Sequence, residues 1–114
     1  MQASTEHETI VDVVALGEAL IRLSPPAHGL IEQAAVFDVQ VGGSETNVLV
    51  GLARLGLRTA WLSRLTDNPL GRRITQCLRG LGVDVNAVVW TPDNRVGLYF
   101  LEHGTPPRAS RVYY

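Results

Sequence analysis

Residues Val41 to Asn47, Val-Gly-Gly-Ser-Glu-Thr-Asn, carry the clearest chemical potential in the chain. Two adjacent glycines ahead of a helical pattern let the backbone close on a bound molecule, and the free N–H groups of a helix start are directed at it. Asn47, in the first helical turn, adds an amide that both donates and accepts. A polyol, whose hydroxyls also do both, suits such a surface. The alternative is an ordinary strand-to-helix turn in which Ser44 and Asn47 are caps. A phosphate-binding loop would end in Gly-Lys-Ser/Thr, and the chain has no lysine. A dinucleotide fingerprint would need a third glycine, which is absent. His7, His28 and His103 fall on the tail and in or beside loops without metal-ligand spacing, and no serine has a nucleophile-elbow context, so no metal site and no hydrolytic triad is assigned.

The elements that must hold this turn are legible around it. Ser44 is the expected N-cap of a helix through Arg54, Glu45 suits its positive end, and Gly56 suits the left-handed position after it. Val48, Leu52 and Leu55 recur at helical spacing and are expected to form the buried face. Thr9 to Leu16 is a short β-branched run, expected to be a strand buried on both faces as in a parallel sheet. Residues 19–23 extend it as a further strand until Ser24-Pro25-Pro26. Phe37, Val39 and Val41 alternate with Asp38 and Gln40, the pattern of a strand with one wet face (36–41).

Thr59 to Leu65 reads as another strand. Thr66-Asp67-Asn68-Pro69 is a helix start, Leu70, Ile74, Cys77, Leu78 and Leu81 its buried face, and Gly82 its stop. Val85 to Trp90 is the expected third core strand. Thr91-Pro92-Asp93-Asn94 has turn chemistry. Residues 95–103 and 110–114 are expected to be two antiparallel strands joined by the loop holding Pro106-Pro107. This succession predicts an α/β fold with a parallel sheet and crossover helices.

Composition bounds the function. A 114-residue chain with 46% hydrophobic and 18% charged residues suits one small globular domain or a piece of a larger one, behind a disordered tail at residues 1–8. A net charge of −1 makes no electrostatic case for nucleic acid or for an anionic membrane. All ten basic residues are arginine, which excludes lysine-based catalysis within the chain. A lone Cys77 forms no internal disulfide, the first residues are polar and acidic, and no apolar run approaches membrane-spanning length. A cytoplasmic location is expected.

Gly42-Gly43-Ser44-x-x-Asn47, Ala53-Arg54-Leu55-Gly56, Asp67-x-x-x-Gly71 and Leu81-Gly82-Val83-Asp84, in that order, resemble the N-terminal part of PfkB-type, ribokinase-like carbohydrate kinases. The resemblance runs from about Val13 to Tyr114. It implies a ribokinase-like α/β fold: the N-terminal part of a parallel-sheet core plus a small β-sheet lid built from strands about 19–23, 36–41, 95–103 and 110–114. It also implies a sugar kinase using ATP and Mg2+, whose catalytic aspartate and nucleotide-binding half lie beyond this chain. Because a strand stopped at Tyr114 would leave its partners unpaired, the chain is expected to be a fragment, inactive alone and marginally stable.

The same resemblance assigns Gly42, Gly43 and Asn47 to the sugar site. Gly97-Leu98-Tyr99-Phe100 and Arg111-Val112-Tyr113-Tyr114 are similar to the subgroup acting on 2-keto-3-deoxygluconate, which implies that Tyr99 and Tyr114 face a sugar acid. A phenol ring packs on the C–H face while its hydroxyl donates to the carboxylate; lid packing is the alternative for both. Arg22 stands where ribokinases and fructokinases tend to carry aspartate, which turns an acceptor into a donor suited to a carboxylate; a solvated surface arginine is the alternative. Glu18 matches a common variant near the sugar. The implied partner is a small sugar or sugar acid, with a homodimer through the lid sheet. A fructokinase- or ribokinase-type enzyme and a non-catalytic α/β binding or dimerisation module are the competing functions.

Overall fold

A computed structural model describes residues 10–114; the expected tail lies outside them. Among the described residues nine strands build three sheets: β1 (Val13–Leu16), β2 (Leu20–Ser24), β3 (Asp38–Gly42), β4 (Thr59–Leu62), β5 (Arg64–Thr66), β6 (Val83–Asp84), β7 (Val89–Thr91), β8 (Leu98–Glu102) and β9 (Arg111–Tyr113). Helix α1 (Ser44–Arg54) follows β3 and helix α2 (Pro69–Gly80) follows β5. A parallel core sheet runs β1-β4-β6, a four-stranded sheet runs β3-β2-β8-β9, and β5 pairs with β7. In the four-stranded sheet β2–β3 and β8–β9 are antiparallel hairpin-like pairs, while β2 and β8 lie parallel. This is the α/β core and lid sheet expected, with each lid strand trimmed or shifted by a few residues.

The core forms where both helices meet the sheets. Leu49 of α1, Ile74 and Leu78 of α2, Trp61 of β4, Val83 of β6 and Ile21 of β2 form one buried cluster. Ile21 thus anchors the lid sheet to the core. The indole N–H of Trp61 donates to the Gly17 carbonyl at 3.1 Å, which fixes the turn between β1 and β2. Asn68 caps α2 by accepting from the Gly71 N–H at 2.9 Å, with Pro69 in the first turn. Asp12 accepts from the Arg58 N–H at 2.7 Å and so ties the start of β1 to that of β4.

Several expectations change. Ser44 is the first residue of α1, not its cap: Gly43 occupies that place without a side-chain bond, and the Ser44 hydroxyl donates to Glu45 instead. Helix α1 carries two apolar stripes, and the one with Thr46 and Leu49 faces the core, leaving Val48 and Leu55 58% and 80% exposed. Strand β1 is covered on one face only; Val14 and Leu16 are exposed on the other. The expected strand 59–65 divides at Ser63. Gly17 N–H bonds the Leu62 carbonyl while Val89 N–H bonds that of Ser63, so the chain changes partners there. The expected third core strand 85–90 is displaced: β6 (Val83–Asp84) takes its place in the core sheet, residues 85–88 form a turn in which the Asp84 carboxylate accepts from the Asn86 N–H, and only residues 89–90 are strand, in β7.

Candidate functional site

The start of α1 and one face of the lid sheet enclose an open cleft of about 580 Å³. Gly43, Ser44, Glu45 and Asn47 supply the helix side. Leu20 of β2 and Tyr99 and Leu101 of β8 supply the sheet side, with Val112 of β9 and Tyr114 beyond it. Glu18, in the turn held by Trp61, closes the end near the core. Of the residues singled out in the sequence, Gly43, Asn47, Tyr99 and Tyr114 are therefore brought together in one lining.

Alternation along the strands explains the choice of side chains. Leu20 is opposite Gly42, Arg22 opposite both Gln40 and Tyr99, and Leu101 opposite Val112, so all of these share one sheet face. The intervening residues Ile21, Leu23 and Phe100 take the other face. Tyr99 and Tyr114 stand as a tilted aromatic pair with ring centroids 5.7 Å apart. Tyr113 points to the opposite side, into a groove with Leu30, Ile31 and Phe100.

Both glycines have a steric task. A Cβ on Gly42 would collide with the Tyr99 hydroxyl, so the missing side chain is the space that Tyr99 fills. A Cβ on Gly43 would come within 2.9 Å of the Glu18 carbonyl and of the Thr46 hydroxyl. Gly43 thus lets the β1–β2 turn lie against the helix start, while its own carbonyl accepts from the Asn47 N–H at 2.9 Å and from the Thr46 hydroxyl at 3.1 Å. The backbone of Asn47 is spent in the helix; its side chain is left free at the exposed rim.

Arg22 lies on the same face but outside the cleft lining. It donates through Nη2 to Gln40 Oε1, and its Nε is buried without a partner among the described residues. Sequence reasoning passed over Leu20, Glu45, Leu101 and Val112 as lining residues. The alternation that carries Tyr99 to this face was the available signal for Leu101. The lining holds two carboxylates, Glu18 and Glu45, and no cationic side chain. It offers acceptors and neutral donors, which suit hydroxyls, and repels a polyphosphate. Among the described residues no three His, Cys, Asp or Glu side chains converge to hold a metal ion, and no helix is long and apolar enough to cross a membrane.

A two-layer α/β core joined to a lid sheet, with a glycine-pair turn between them, defines the ribokinase-like architecture. Residues 11–112 match the pfkB family carbohydrate kinase model, and the chain belongs to that family. It is 47% identical over 103 residues to the 2-dehydro-3-deoxygalactonokinase of Haloferax volcanii, an alignment covering 90% of this chain and 32% of the relative. The 2-dehydro-3-deoxygluconokinase structure from Thermotoga maritima superposes with a TM-score of 0.88 at 43% identity, covering 92% of this chain and 32% of that one. An uncharacterised sugar kinase from Pyrococcus horikoshii, solved in complex with ATP, superposes with a TM-score of 0.77 at 26% identity, covering 89% and 33%. The chain spans about a third of the length of these relatives.

Proposed function

We propose that this chain is the sugar-binding wall of a cytoplasmic ATP-dependent carbohydrate kinase whose substrate is 2-keto-3-deoxygluconate or its close epimer. The observation that carries the reading is the convergence of Gly43, Asn47, Tyr99 and Tyr114 on one cleft. The Asn47 amide, the first N–H groups of α1 and the Glu18 carboxylate meet sugar hydroxyls. The Tyr99 and Tyr114 hydroxyls meet the carboxylate. ATP and Mg2+ supply the transferable phosphoryl group; the lining of this cleft carries no cationic side chain to hold the triphosphate. The names of the Haloferax and Thermotoga relatives support a deoxy sugar acid over fructose or ribose.

The test is an amide NMR titration of the 114-residue chain with 2-dehydro-3-deoxygluconate, fructose and ribose. Saturable shifts at Gly43, Ser44, Asn47 and Tyr99 with the sugar acid, larger than with the neutral sugars, are expected. Equal or absent responses at those residues would remove the reading. A second reading, a non-catalytic module that dimerises through its lid, draws on the unpaired outer edges of β3 and β9 among the described residues. Sedimentation equilibrium tests that module: a monomer removes it, whereas a dimer through the lid suits both readings and leaves the sugar titration to decide between them.

A further inference from the structure

The loop between β2 and β3 meets the β8–β9 hairpin at the end of the lid sheet. Arg108, in the hairpin, donates through Nη2 to the His28 carbonyl at 2.8 Å and to the His103 carbonyl at 3.0 Å. The Ile31 N–H donates to Glu102 Oε2 at 3.0 Å. The same meeting brings two histidines together that lie far apart in sequence: the rings of His28 and His103 have centroids 5.7 Å apart and planes inclined at 57°. Among the described residues Arg108 takes up their carbonyls, and no hydrogen bond engages either imidazole. The backbone beneath one of the rings is strained. Ala27 and His28 both lie in the left-handed region, at φ 56° and 58°, where glycine is the usual occupant. Gly29, one residue on, has φ −69° and takes none of that strain. An imidazole is thus held where backbone geometry alone would select glycine, and strained positions of this kind gather at functional sites.

We propose that His28 and His103 form a two-imidazole site for a late first-row divalent ion (Zn2+, Ni2+ or Cu2+) that clasps the β2–β3 loop to the β8–β9 hairpin. Imidazole suits these ions, whereas Mg2+ prefers oxygen ligands. With metal–nitrogen bonds of about 2.1 Å, an ion shared by two imidazoles sets their centroids about 5–6 Å apart. The pair already stands at that separation. Two protein ligands leave the other positions to water, so the ion exchanges; zinc sites that are a permanent part of a fold are closed by four ligands. Glu102, next to His103 in the chain, and Glu32 in the same groove bring negative charge to offset the Arg108 cation. The clasp bears on the sugar cleft without touching it, because β8, which runs into the hairpin, carries Tyr99 and Leu101. The site shares no residue with the cleft lining and does not depend on the identity of the sugar.

The test is a titration of the His7→Gln chain, in which only these two imidazoles remain, with Zn2+ alone at pH 7.5, followed by NMR of the imidazole Cε1–H signals. Both signals are expected to move together along one saturation curve at one ion per chain, while Mg2+ moves neither. His28→Asn removes the ring but keeps a residue that tolerates the left-handed backbone. That variant and His103→Gln should each weaken Zn2+ binding at least tenfold. Thermal unfolding gives a second readout: Zn2+ should raise the Tm of the chain that has both rings and leave that of either variant unchanged. No movement, movement of one ring without the other, separate curves for the two, or an equal response to Mg2+ would overturn the clasp. So would undiminished affinity in the single variants or a Tm rise that survives in both, each of which marks an adventitious ion only.

Discussion

At the scale of single residues, Gly42 and Tyr99 form one device. The glycine is needed because the phenol occupies the place of its side chain. Gly42→Ala should displace the Tyr99 ring and weaken binding of 2-dehydro-3-deoxygluconate about tenfold, which is about 1.4 kcal/mol. Tyr99→Phe removes only the donor and should cost about 1 kcal/mol. In the Tyr99→Phe background the alanine should cost less than in the wild type, since the first overlap is with the hydroxyl. NMR titration of the four proteins closes this cycle, and strict additivity would show that the two positions act independently. The glycine pair and Asn47 were legible as the turn and first helical residues of α1 because their geometry is local. The position of Arg22 was not: its engagement by Gln40 depends on the pairing of β2 with β3, which residue type alone does not reveal.

At the scale of elements, helix α1 shows where sequence reading succeeds and where it fails. Its existence, its Gly56 terminator at φ 94° and its place after a glycine pair were all legible. Its buried face was not, because two apolar stripes compete and only tertiary packing chooses between them. Adjacent residues therefore make opposite predictions. Leu49→Ala should destabilise the chain by about 3 kcal/mol, whereas Val48→Ala should change it by no more than about 0.5 kcal/mol, as read by urea unfolding. If the two costs were equal, the packing of α1 described above would be wrong. Helix α2 was legible at both ends, since Asn68-Pro69 and Gly82 act through local geometry. Asn68→Ala should cost about 1 kcal/mol in the same assay through loss of the bond from the Gly71 N–H. The breaks at Ser63 and Asp84 escaped the pattern because they arise from a change of strand partner and from one carboxylate, not from hydrophobic periodicity.

At the scale of the whole molecule, the cleft beside α1 carries no cationic side chain in its lining. The purified 114-residue chain should show no ATP-dependent phosphorylation of 2-dehydro-3-deoxygluconate above the uncatalysed rate in a coupled assay. Turnover by the chain alone would require a catalytic group not recognised here. The parallel pairing of Ile21 with Leu98 at the centre of the lid sheet also has a bearing on how the protein is made. While the chain leaves the ribosome, β2 can join β3 at once, but its other partner is not yet synthesised. The nascent hairpin thus waits with an open flank through the making of both helices and the core strands. Closing so long a loop is entropically slow. Lid assembly should be the late step of folding, and a translational pause before Leu98 should lengthen the interval in which chaperones can engage β2.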